Sequence, residues 1–313
     1  MAADREPPRK RAFTLASRIP WLATKDRFAN ARFAERAESL APDGTPKLVA
    51  VAEGDSWFDY PPHLDLIDHV QALGYLNIWR ESHYGDRLEQ MAGQQLERTL
   101  VAIREHRPDA FLLSCGGNDI MGADGGVFGR YLRPASSRAS LADPYLDRSS
   151  IKAVFFDEFR PRLNRVFEAV LESAATAGKP DLKVFIHGYD YGFPDGRALL
   201  GHTVPRLVPG PWLAPALLDR GYLRSLRPSA TEIRAGHAAL KEVIDYYNVF
   251  LQELADEWSG SVVCIDLRGL LPDRKRHWAN ETHPTESGFA LLARRMEAAA
   301  RQNTRRDDSR GSR

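Results

Sequence analysis

Five short apolar runs, each followed by a longer stretch of helical periodicity or of turn-rich composition, constrain the fold of this chain more than any other feature. The runs are Leu48–Glu53, Tyr75–Trp79, Asp109–Ser114, Leu182–Ile186 and Ser261–Asp266. Each is too short for a core helix, and each lacks the apolar/polar alternation of a half-exposed strand. They read as strands buried on both faces. Between and after them the period changes. Residues 63–73 place Leu64, Ile67 and Val70 on one face, and 86–107 do the same with Leu88, Met91, Leu96, Leu100 and Ile103. Asp86 is the expected N-cap of that second helix, and Pro108 closes it. Residues 151–177 carry Phe155, Phe159, Val166, Val170 and Leu171 inward. Residues 231–258 carry Ile233, Leu240, Ile244, Tyr247, Leu251 and Leu254, and 285–301 form the last helix. Strands alternating with helices cannot pair as hairpins. They require a parallel sheet reached by right-handed crossovers, so the expected fold is α/β, a three-layer α/β/α sandwich on a five-stranded parallel sheet.

The 313 residues suit one large domain at 46–301, preceded by an extension at 1–45 and followed by a charged tail at 302–313 that is expected to be disordered. Two stretches break the alternation, at about 122–150 and 189–228, and read as insertions. The first contains Gly125-Gly126 without a following Gly-Lys-Ser/Thr, which argues against a phosphate-binding loop. A net charge of +1 argues against a nucleic-acid partner, and no apolar run approaches the roughly 20 residues that span a bilayer. The basic, proline-rich Met1 to Arg11 leads only into a short apolar stretch cut by Arg18, so a cytoplasmic location is expected. Cys115 and Cys264, near the ends of core strands, are expected to be buried free thiols. No Cys/His spacing suggests zinc.

Chemistry concentrates at the strand ends. Gly54-Asp55-Ser56-Trp57 follows the first run, Gly116-Gly117-Asn118-Asp119 follows the third, and His283-Pro284-Thr285 precedes the last helix. A serine just past a strand can project its hydroxyl from the rim where α/β sheets build their sites. A serine hydroxyl needs a base, and His283 is the candidate, on a loop between Trp278-Ala279 and the last helix that should return to the same sheet edge. These blocks, in this order, resemble the SGNH hydrolase superfamily, the GDSL-type esterases and lipases, over residues 47–300. The resemblance implies a flavodoxin-like SGNH fold with Ser56 as nucleophile and His283 as base. It implies an oxyanion hole made of the Ser56 amide, the Gly85 amide from Ser82-His83-Tyr84-Gly85-Asp86, and the Asn118 side chain. It requires no metal or organic cofactor.

The chain departs from the family at the third triad position. Three residues before the histidine the family carries an aspartate, and here that position is Asn280. An asparagine oxygen fixes the imidazole tautomer but offers no charge to an imidazolium. Glu281 through a shifted loop, Asp266 or Asp273 from elsewhere, or a main-chain carbonyl are the alternatives. Asp55 is expected to support the Ser56 turn. Trp57, Phe58, Tyr60 and the aromatics of His187–Pro194 either wall a substrate pocket or pack the insertion onto the body. The implied activity is hydrolysis of a carboxylic ester: a small molecule, a lipid or an acylated sugar. An acyltransferase on the same site and a non-catalytic binding protein are the rivals. Nothing in the sequence speaks to oligomeric state.

Overall fold

The computed structural model describes residues 29–60, 63–122, 124–140, 142–199, 209–271 and 274–304. Strands β1 (Leu48–Gly54), β2 (Leu76–Arg80), β3 (Ala110–Ser114), β4 (Lys183–His187) and β5 (Val262–Ile265) fall on the five apolar runs. All pair in parallel, in the order β2-β1-β3-β4-β5. Burial explains why these runs are continuous rather than alternating. Ala50, Val51 and Ala52 of β1 and all of β3 are fully buried, so both faces of the central strands are covered. Helices Leu66–Ala72 and Glu286–Thr304 pack together on one side. Helices Leu96–His106 and Arg160–Thr176 pack together on the other, where Leu96–His106 meets β1.

The strand order fixes where a site can form. The chain leaves β1 toward β2, then returns to β3 on the opposite side of β1. The two crossovers therefore part, and a crevice opens beyond the carboxyl ends of β1 and β3. Gly54 stands opposite Ser114 in the β1–β3 register. Ser56 and Gly116 thus leave adjacent strands at the same level.

Several local expectations are corrected. The helix expected over 86–107 is two helices, Leu88–Met91 and Leu96–His106. Gly93 sits at the break, where a Cβ would come within 2.8 Å of the Glu89 carbonyl oxygen. Asp86 is not its N-cap; its carboxylate accepts from Gln95 Nε2 at 2.8 Å, and Asp119 takes the Leu88 amide at 3.0 Å. Leu64 lies ahead of the helix capped by Asp65 and is exposed. The 151–177 helix begins earlier, at Arg148 behind its cap Asp147, and passes through a π turn at Phe155–Phe159. Cys115 is buried and Cys264 only half-buried; both are free.

The described part of the N-terminal extension is not a loose arm. Helix Phe33–Ala37 packs on β2, with Arg36 Nε donating to Asn77 Oδ1 at 3.1 Å and Asn77 Nδ2 donating to the Phe33 carbonyl at 3.0 Å. The last helix continues to Thr304. Residues 1–28 and 305–313, which hold the rest of the expected extension and tail, lie outside the described residues. Among the described residues no helix is long and apolar enough to cross a membrane.

Candidate active site

Ser56 stands two residues past the last residue of β1, in a turn held from below. The Asp55 amide continues the ladder to the Ser114 carbonyl at 3.0 Å. The Asp55 side chain then turns the chain, accepting from the Trp57 amide at 3.0 Å. The same carboxylate accepts from Ser114 Oγ at 2.9 Å and from the Tyr189 hydroxyl at 2.5 Å. Tyr189 follows β4, and its oxygen also accepts from the Gly117 amide at 2.9 Å. One buried carboxylate thus ties the ends of β1, β3 and β4 together. Burial pushes its pKa up to about 6, against the pull of the Tyr189, Trp57 and Ser114 hydrogen bonds. A Cβ at Gly117 would lie 2.8 Å from Asp55 Oδ2 and 2.9 Å from the Tyr189 hydroxyl, which explains a glycine there. Its neighbour Gly116 has φ +86°, a conformation that L side chains resist.

His283 arrives from the far end of the chain. Its Nε2 is 2.7 Å from Ser56 Oγ, across 227 positions of sequence. The loop that carries it is closed by a bridge between Trp278 and Pro284 and by the Ala279 amide donating to the His283 carbonyl at 2.9 Å. Asn280 Oδ1 sits inside this loop. It accepts from the Thr282 amide at 3.0 Å and the His283 amide at 2.9 Å, and lies 3.0 Å from His283 Nδ1. Backbone amides only donate, so this atom is the oxygen. The proton therefore sits on Nδ1, and the bare Nε2 faces the Ser56 hydroxyl. Asn280 Nδ2 donates to the Tyr60 hydroxyl at 2.9 Å. The Tyr60 ring stacks on the imidazole, with centroids 4.4 Å apart and planes 13° from parallel. Trp212 packs against the same ring at 5.2 Å. Burial among these groups pushes the His283 pKa down to about 3.

Glu281 does not take the position at His283 that was open to it. Its carboxylate accepts from the backbone amides of Leu213 at 2.7 Å, Gly196 at 3.1 Å and Ala214 at 3.1 Å, all in the second insertion. The reason is supply: three amides facing one buried side chain solvate a carboxylate better than a single imidazole N–H. Burial still dominates and pushes its pKa up to about 7. Asp266 is also elsewhere, paired with Arg268 at 2.6 Å. Asp273 lies outside the described residues.

The other two sequence blocks meet at the same place. The His83 amide donates to the Gly54 carbonyl at 2.9 Å, docking the 82–86 loop on the end of β1. Gly85 then turns with φ +86°. Asn118 Nδ2 donates to the Asp86 carbonyl at 2.9 Å, which leaves its second N–H for the cavity that Asn118 lines. Among the described residues the Ser56 and Gly85 amides donate to no protein acceptor. The cavity is lined by Ser56, Tyr84, Asn118, Met121, Trp212 and His283, and its volume is about 20 Å³. That is room for about one water-sized group.

No family model matches the chain, and no curated protein matches it. Solved structures do match in chain course. A family 3 carbohydrate esterase from Clostridium thermocellum is 14% identical, with 83% of this chain and 98% of that one covered and a TM-score of 0.46. TesA is 13% identical, with 82% and 99% covered and a TM-score of 0.42. A variant of an acetylxylan esterase from Geobacillus stearothermophilus is 12% identical, with 81% and 94% covered and a TM-score of 0.39. The likeness to these structures is one of chain course, and the resemblance to the SGNH hydrolases lies in the sequence blocks at Ser56, Asn118 and His283.

Sequence reasoning missed Trp212 altogether, because nothing around it marks a functional residue. Tyr60 and Tyr189 stood among aromatics with two open readings. The structure puts Tyr60 on His283 and Tyr189 on Asp55. Trp57 braces the histidine loop, its Nε1 donating to the Thr282 carbonyl at 3.1 Å, and stacks on His187.

Proposed function

We propose that this protein is a serine hydrolase that cleaves carboxylic esters through an acyl-enzyme on Ser56. The observation that carries the reading is the 2.7 Å contact between Ser56 Oγ and an imidazole nitrogen whose partner nitrogen is held by Asn280. A buried, neutral histidine beside a serine at the sheet's switch point supports nucleophilic chemistry.

In the first step His283 Nε2 takes the Ser56 proton as Oγ attacks the acyl carbon. The carbonyl oxygen becomes an oxyanion, held by the Ser56 and Gly85 amides and the Asn118 carboxamide. The tetrahedral centre collapses, the ester C–O bond breaks, and His283 returns its proton to the leaving alcohol. Water, deprotonated by His283, then attacks the acyl-enzyme, and the acid leaves as Oγ recovers the proton. Asn280 holds the tautomer without adding charge. The face of Tyr60 at 4.4 Å supplies part of what is missing, since an aromatic face attracts a cation. An acceptor alcohol in place of water would give transfer by the same steps.

Labelling with a fluorophosphonate tests the reading. Wild-type protein is expected to react at Ser56 and to hydrolyse short activated esters, and Ser56→Ala to do neither. A Ser56→Ala variant that keeps near wild-type kcat would end it.

A further inference from the structure

The histidine loop and the second insertion grip each other in both directions. From the loop, the Glu281 carboxylate reaches into the insertion and accepts from the Gly196, Leu213 and Ala214 amides. From the insertion, Arg197 reaches back and donates from Nη1 to the carbonyls of Trp278 at 2.7 Å and Ala279 at 3.2 Å. Asp195 steadies Arg197 through Nε at 2.6 Å. A backbone bond from the Phe193 amide to the Glu281 carbonyl, 2.9 Å, lies between these two grips. Glu281 is fully buried, one residue after Asn280 and two before His283. Trp212, directly before the Leu213 amide that Glu281 holds, packs against His283 and lines the cavity beside Ser56.

We propose that Glu281 and Arg197 form a reciprocal latch that holds Trp212 as a fixed wall of the ester site. Glu281 is thus a positioning residue, and Trp212 sets the size of group the site accepts. The functional half of this inference rests on the ester-hydrolase reading; the latch itself does not. The physical case is one of stakes. A buried carboxylate without its donors, or three buried amides without their acceptor, is strongly unfavourable, so neither segment can shift alone. The latch acts on a short lever, because Leu213, whose amide Glu281 holds, directly follows Trp212, and Glu281 stands two residues before His283.

Hydrogen exchange and ester selectivity, measured together, test it. Glu281→Gln keeps the side-chain volume but replaces one acceptor oxygen with a donor, leaving at least one amide unpaired. Amides of 209–216 are expected to lose about tenfold to hundredfold protection while β1 and β3 keep theirs. With 4-nitrophenyl acetate and butyrate as probes, the butyrate-to-acetate ratio of kcat/KM is expected to rise about tenfold. Trp212→Ala is expected to raise the same ratio, and the double variant to exceed the larger single effect by little. Should Glu281→Gln fold poorly, Arg197→Ala opens the opposite half of the latch and is expected to give the same pattern. Protection of 209–216 unchanged in both variants would overturn the latch. So would an even loss of protection across the sheet with the ester ratio unmoved, which marks general destabilisation. If wild-type protein neither hydrolyses these esters nor labels at Ser56, the ester reading fails instead, and the exchange data alone decide the latch.

Discussion

The two sides of the site are built by different means. On the serine side, Ser56 and Asn118 stand two and four residues past β1 and β3, and the ladder that pairs Gly54 with Ser114 carries their placement. On the histidine side there is no ladder. Residues 278–283 are held by Trp57 from the Ser56 turn, Tyr60 behind it, and Glu281 and Arg197 across to the insertion. Repeated backbone bonds make the first side insensitive to most single side chains. The second side is a short loop closed on itself, tied to distant segments by a backbone bond from Phe193 and otherwise by separate side-chain bonds. Changes that disturb His283 should therefore be scattered along the chain, whereas those that disturb Ser56 should cluster at strand ends.

The largest effect expected belongs to the serine side. Ser56→Ala should reduce ester hydrolysis to background, a loss of at least about 10³-fold, with circular dichroism and Tm close to wild type. Asn118→Ala should follow, lowering kcat by about 10²–10³-fold with little change in KM, as the proposed role of its donor on the developing oxyanion requires. A change confined to KM would move Asn118 from the oxyanion to the substrate or to the scaffold.

The histidine side is sharpened by Asn280→Asp. A carboxylate at this position would stabilise the imidazolium, and kcat should rise by about tenfold, a fraction of the roughly 10⁴ that the reverse exchange costs in the serine-protease triad. The pH dependence gives the sign independently. In the wild type, burial holds the His283 pKa down to about 3, so its imidazole is neutral well above that pH. A negative neighbour favours the charged ring and raises that value, so the acid limb of kcat/KM should lie at higher pH in Asn280→Asp than in wild type. A limb that stays in place or moves down would show that Asn280 is not the histidine's partner in solution. The smallest effect is a control. Asp266→Asn should leave kcat within about twofold, because Asp266 is paired with Arg268 and the histidine has its oxygen already.

Much of this was legible before any coordinates. The five strands were readable because strands buried on both faces must be apolar throughout, and that leaves continuous runs. The serine and asparagine blocks were readable because each directly follows such a run. Errors arose where local pattern and packing disagree. The 86–107 stretch has helical periodicity throughout, yet Gly93 breaks it. Glu281 and Asn280 are neighbours, and a side-chain oxygen of either can accept from an imidazole N–H. Only the amides of Gly196, Leu213 and Ala214, brought in from the insertion, decide that Glu281 is taken.

The sequence by itself determined the alternation of strand and helix, the parallel sheet that follows from it, and the serine and asparagine at its strand ends. These depend on side-chain period and on residues within a few positions of each other. The tertiary structure alone decided which oxygen faces His283 Nδ1, that Tyr60 and Trp212 enclose the imidazole, and that Glu281 belongs to the insertion rather than to the base. Each of these is a competition for a buried hydrogen bond or ring face among groups far apart in the chain. Its outcome depends on which segments the fold brings within about 3 Å of each other, a distance that no local pattern carries.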